Sequence, residues 1–222
     1  MPPDEHVFNE VYLPGEIFFP PQAYSGRQFL FDDWKKGDII TQSGKVYTNQ
    51  LLKYNMLLDE LFWLSPGVFN HIMLDRGFIN KFTIDIDGGQ PLTFQKIPVK
   101  NPITGADAMQ FAQQLYKGDL ELYVTHHKRI SARSEVVRTG ETVSHQRILQ
   151  KTQSYYLKNT SGEIVQLRPS RRSFISSMGK DRERINELIM AKQLTIQNQQ
   201  QLIQAVKEAD QYLKSVSVNP DL

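Results

Sequence analysis

The stretch WKKGDIITQSGKVYTNQLLKYNMLLDEL, residues 34–61, decides how the chain is read. It predicts a strand, a turn at Ser43-Gly44 and further strands, because a glycine-bearing turn separates two segments rich in β-formers. Leu52, Tyr54 and Met56 alternate with Lys53 and Asn55, a two-residue period that sends the apolar side chains to one sheet face. No catalytic signature interrupts the stretch.

Working outward, the same period recurs from Asp38 to Leu167. Phe82, Ile84 and Ile86 alternate with Thr83, Asp85 and Asp87 until Gly88-Gly89 turns the chain. Leu122 and Val124 flank Tyr123, and Tyr155-Tyr156-Leu157 runs into Asn159-Thr160-Ser161-Gly162. Turn signals at Ser43-Gly44, Pro66-Gly67, Gly88-Gly89, Lys117-Gly118 and Ser161-Gly162 are spaced for hairpins rather than long crossovers, which predicts an antiparallel meander. Ala106 to Tyr116 admits a second reading as a short helix, since Ala108, Met109, Ala112 and Leu115 fall near helical spacing.

After Pro169 the period lengthens. Ser170 to Met178, closed by Gly179, suits a short helix with a glycine cap. Asp181 opens a segment with Ile185, Leu188 and Ile189 on one face. Thr195 is the expected N-cap of a last helix whose stripe is Leu202, Ile203, Val206, Ala209 and Leu213. That stripe is shorter than a convincing coiled-coil seam, so it is expected to dock on the sheet. Residues 1–33 carry Pro2, Pro3, Pro14, Pro20 and Pro21 among Phe18, Phe19, Tyr24, Phe29 and Phe31. Prolines block ladders and the rings need burial, so this is an extended arm ordered by docking across the body. The expected fold is α+β: an N-terminal arm (1–33), a mainly antiparallel, meandering, curved or open-barrel-like sheet (34–168), and C-terminal helices of the same domain packed on it (169–216).

With 222 residues, 40% hydrophobic and 23% charged, the composition is that of a globular chain able to bury a core. No apolar run approaches the ~18 residues of a membrane-spanning helix. The absence of cysteine excludes disulfides, thiolate metal sites and a cysteine nucleophile. The start lacks the basic region and cleavage site of an export signal, so the expectation is a cytoplasmic protein unless a signal has been removed. The net charge of +2 hides three segments: −5 over residues 1–125, +8 over 126–184 and −1 over 185–222. A basic third of this kind either meets an anionic partner or pairs with the acidic half of its own chain.

Gly44-Lys45-x-Tyr47, Leu52-Lys53-Tyr54-Asn55 with Asp59-Glu60-Leu61, the aliphatic and aromatic strands, Tyr155-Tyr156-Leu157 and the helical tail together resemble a family of uncharacterised β-rich proteins of Bacteroidota. The likeness spans about residues 34–215. It implies an exported protein of the periplasm or cell envelope, and no established activity.

The chain has no GxSxG elbow, HExxH, phosphate loop or dinucleotide fingerprint. Asp85 and Asp87, two apart before Gly88-Gly89, could hold calcium or act as an acid/base pair, but they lack the further oxygen ligands of a calcium loop and read better as turn-forming aspartates. His126 and His127 are adjacent on a strand and point to opposite faces, so they do not grip one metal. No catalytic residue, metal or cofactor is therefore assigned. The strongest binding candidates are Arg129, Arg133, Arg138, Arg147, Arg168, Arg171 and Arg172, with Lys128 and Lys151 beside them, since the guanidinium fork pairs with oxyanions. No aromatic residue lies between Lys128 and Lys151 to stack bases, which disfavours nucleic acid. The alternative for 128–152 is a polar hairpin whose arginines guard a strand edge.

These features point to a non-enzymatic interaction or scaffold protein with a protein partner in the cell envelope. The alternatives are an enzyme of unrecognised type, working through Asp85, Asp87 or a histidine, and a half-barrel carrier of an apolar ligand, suggested by the Phe, Tyr and Leu of residues 51–82.

Overall fold

The computed structural model of the chain describes residues 12–18, 24–25, 27–66, 71–100, 107–140 and 142–218. Pro2, Pro3, Phe19, Pro20, Pro21, Gly67 and Ala106, used above, lie outside them. Among the described residues the fold is α+β, with mainly antiparallel strands and helices only at the C-terminal end. The chain divides into two compact units, one formed by residues up to Pro91 with Ser131–Leu149, the other by Leu92–Ile130 with the chain from Gln150 onward.

In the first unit the strands are β1 (Gly15–Ile17), β2 (Tyr24–Ser25), β3 (Lys35–Thr41), β4 (Val46–Asn55), β5 (Glu60–Leu64), β6 (His71–Leu74) and β7 (Ile79–Ile84). Apart from β2, which lies off this path, their hydrogen-bonded order is β1-β6-β5-β4-β3-β7. The stretch 34–61 forms β3, the turn at Ser43-Gly44, β4 and the start of β5, as its pattern requires. Leu52 opposes Trp63 and Tyr54 opposes Leu61. All four are buried, together with Ile39, Phe62, Ile79, Phe82 and Ile84. Much of the apolar content of residues 51–82 packs in this core, with Tyr54 and Phe82 rings 5.9 Å apart, whereas Leu51 and Leu58 are exposed.

Two details depart from strict alternation. Asn55 is buried rather than exposed, because its Oδ1 accepts the N–H groups of Leu57 and Leu58 and so ends the strand in an Asx turn. β7 stops at Ile84, leaving Ile86 half-buried beyond the ladder. β1 pairs antiparallel with β6, and the rings of Phe18 and Phe29 meet Phe62 edge-on at 4.7 and 5.5 Å.

The second unit contains β8 (Leu92–Lys100), β9 (Asp107–Lys117), the base of the hairpin β10 (Glu121–Thr139) and β11 (Thr142–Lys158), and β12 (Ile164–Leu167), in that order. In neither unit does the last strand return to pair the first, so no closed barrel forms. The helical reading of Ala106 to Tyr116 gives way to strand β9. An antiparallel ladder with β8 from Phe94↔Gln113 to Lys100↔Asp107 outweighs a weak helical spacing. From Leu122 to His126 every side chain of β10 is buried, so both faces of the strand are covered there.

Leu120, Leu122, Leu157 and Leu167 meet the buried faces of α1 (Arg171–Ser177), α2 (Arg182–Ala191) and α3 (Gln199–Val218). Of the expected anchors, Ile185, Leu188, Ile189, Leu202, Val206, Ala209 and Leu213 are buried in this cluster, while Ile203 is half-buried against it. Full burial of one such side chain is worth about 1.5–3 kcal/mol. The cap of α3 differs from expectation. Asn198, not Thr195, begins the helix, its Oδ1 accepting from the N–H of Gln201 at 3.0 Å while Gln201 Oε1 reaches back to the N–H of Gln197 at 2.8 Å.

Asp210 locks α3 to the β9–β10 turn. It is 1% exposed and accepts from the Leu120 N–H at 2.7 Å, the Tyr116 hydroxyl at 2.9 Å and Lys214 at 2.7 Å. Burial pulls this carboxyl upward, but the three donors outweigh it and leave it below the ordinary range. Gly118 makes the approach possible, since a Cβ there would lie 2.3 Å from Asp210 Oδ2.

Candidate functional site

The seven arginines singled out by sequence are all exposed. Arg133, Arg138 and Arg147 belong to the outer hairpin in the first unit, whereas Arg129, Arg168, Arg171 and Arg172 belong to the second. Lys151 is exposed and Lys128 half-buried. The edge-guarding reading of the hairpin needs amendment, because Arg147 and Ile148 of β11 pair in parallel with Tyr24 and Ser25 of β2.

The structure gathers Arg168, Arg171 and Arg172 at the start of α1 and adds Arg182, which begins α2. Helix α1 is capped by the Ser170 hydroxyl, accepting from the Ser173 N–H at 3.3 Å, and the Ser173 hydroxyl accepts from the Arg168 N–H at 2.9 Å. Phe174 and Ile175 then face the core and leave Arg171 and Arg172 outward. A 3-10 turn, Gly179–Asp181, reverses the chain, with Gly179 at φ 57°. The β11–β12 turn holds this corner: Asn159 Oδ1 accepts from Ser161 and Glu163 N–H groups, and the Thr160 hydroxyl donates to buried Asp181 at 2.6 Å. Ile185, buried on α2, fixes the second helix against the first and so sets Arg182 near Arg171 and Arg172.

Two adjoining grooves result. One, of about 510 Å³, is lined by Arg171, Arg172, Ile175, Arg182, Glu183 and Asn186. The other, of about 490 Å³, is lined by Arg168 and Arg172 with Gln166, Leu167 and the serines 170, 173 and 176. Arg172 lines both. Arg171 is steadied by Asn186 Oδ1 at 3.0 Å. Among the described residues none of these four arginines forms an ion pair with a carboxylate. Sequence reasoning missed Arg182 because it lies ten positions beyond Arg172 and joins it only through the helical corner. The glycine after Met178 was the available signal for that corner.

The other candidates are tied into structure. Asp85 and Asp87 lie beyond the end of β7 and are exposed, and Asp87 pairs with Lys35 at 2.9 Å. His126 is buried, its Nε2–H donating to Gln113 Oε1 at 2.8 Å and its Nδ1 accepting from Gln153 at 3.1 Å. Desolvation, then the charges of Lys151 and His127, lowers its pKa to about 4. His127 reaches Gln110 at 3.1 Å, so the two imidazoles have separate partners. Tyr123 is buried with its hydroxyl toward Glu121, which Lys158 binds at 2.7 Å. Among the described residues no group of three or more His, Asp or Glu is placed to hold a metal, and no helix is long and apolar enough to cross a membrane. Compared with protein-family models, curated proteins and solved structures, the chain matches none.

Proposed function

We propose that this chain is a non-enzymatic interaction or scaffold protein of the bacterial cell envelope, and that it engages an acidic protein partner through its arginines. The observation that carries the reading is the set Arg168, Arg171, Arg172 and Arg182, exposed at a helical corner and without carboxylate partners among the described residues. Such guanidinium groups retain their hydrogen-bonding capacity for an incoming oxyanion. The groups that chemistry would need are otherwise engaged: His126 bridges two glutamines, Asp210 caps a turn, and Asp87 meets Lys35. The envelope location rests on the resemblance to exported proteins of Bacteroidota.

The test is affinity capture from envelope extracts with the intact chain and with a variant carrying Arg129→Glu, Arg171→Glu and Arg172→Glu. Loss of the captured proteins in the variant is the expected result. An unchanged set of captured proteins would discard the arginine surface as the interface.

A further inference from the structure

We infer that the two grooves at the α1–α2 corner form one continuous cradle for an extended acidic peptide segment, a deepening that rests on the interaction reading above. Arg172 lines both grooves, so Arg168, Arg172, Arg171 and Arg182 form a run of cationic positions rather than a cluster around one point. A run of this kind matches carboxylates spaced along a chain. Glu183 lines the Arg182 end and repels a concentrated multivalent anion more than it repels single carboxylates distributed along the cradle. Leu167 and Ile175 supply apolar floor, and Gln166 with Ser176 supplies polar groups for a peptide backbone.

The cradle is also built in advance. Phe174 and Ile185 are buried beneath the two helices, Asn186 steadies Arg171, and Thr160 with Asp181 pins the intervening corner. Binding therefore orders few protein groups, which favours recognition of a flexible segment. Each groove is open to solvent.

The experiment is fluorescence anisotropy of a labelled Asp/Glu peptide of about ten residues titrated with the full chain. Arg172→Ala and Arg182→Ala are each expected to weaken binding by about tenfold or more, Lys36→Ala on β3 to leave it unchanged, and an Asn/Gln peptide of the same length not to bind. All three substituted side chains are exposed, and circular dichroism confirms that the variants fold. The proposal fails if the acidic peptide does not bind, if Arg172→Ala and Arg182→Ala bind it as the parent does, or if inorganic phosphate at equal charge displaces it, which marks a small-anion site. Sedimentation with vesicles of anionic lipid, lost in the two variants while the peptide stays unbound, would assign the cradle to a membrane surface and overturn it as well. Envelope capture that survives failure of the peptide assay leaves the interaction reading standing on other contacts, so the two failures are distinguishable.

Discussion

Replacing His126 by glutamine should remove a pH dependence whose size follows from the geometry. In the folded chain the neutral imidazole satisfies both ring nitrogens, donating to Gln113 and accepting from Gln153. Burial penalises the imidazolium, and the charges of Lys151 and His127 add to that penalty, which is why the pKa falls from 6.5 to about 4. In the unfolded chain the imidazole takes its proton near 6.5. Between these values the unfolded state holds the extra proton, so stability rises with pH by about 1.4 kcal/mol per unit. The contribution is complete above pH 6.5, declines as the solution is acidified toward 4, and is flat below that. The total is about 3 kcal/mol. Urea unfolding followed by near-ultraviolet circular dichroism of the tyrosines, from pH 7.5 to 4.5, measures it. Carboxylates titrate in both proteins, so the informative quantity is the difference between parent and His126→Gln, which should shrink by about 2–3 kcal/mol over that range. A difference constant to within about 0.5 kcal/mol, or a His126 imidazole resonance titrating near its unperturbed value, would refute the reasoning.

Three further outcomes concern the helical layer. Asp210→Ala leaves the buried Leu120 N–H without an acceptor and frees Tyr116, at a cost of about 2–4 kcal/mol by calorimetry; Gly118→Ala should produce a loss in the same region, because its Cβ collides with the carboxylate it would have to displace. Asn198→Ala removes the side-chain acceptor at the start of α3 and should cost about 1 kcal/mol, with faster amide exchange confined to the first turn of that helix.

The strand meander, its turns and the buried stripes of α2 and α3 were legible because period and glycine position are local properties. Tyr54, Phe82, Ile185 and Val206 lie where their spacing places them. What escaped notice depended on partners distant in the chain. β9 reads weakly as helix until β8 lies beside it, and Thr195 competes with Asn198 as a cap until the chain path decides between them. Asp210 looks like one more polar residue on a helix, yet Leu120, 90 positions away, fixes its role. The candidate site was half legible. Arg168, Arg171 and Arg172 stand together in sequence, but Arg182 enters only when the 3-10 turn folds the second helix back, and the distribution of Arg133, Arg138 and Arg147 to the other unit has no local signature.

The antiparallel seam between Gly15–Ile17 and Ile72–Leu74 carries a further meaning. Unpaired strand margins invite other chains to zip on, and nature commonly blunts them with charge or proline. Here the molecule uses its own leading segment as a selvedge, tucking Leu13 inside and directing Pro14 O to the Asp75 N–H at 3.0 Å. β1 thereby becomes the outermost strand itself, and with three residues it offers a newcomer fewer rungs than the four of β6 that it covers.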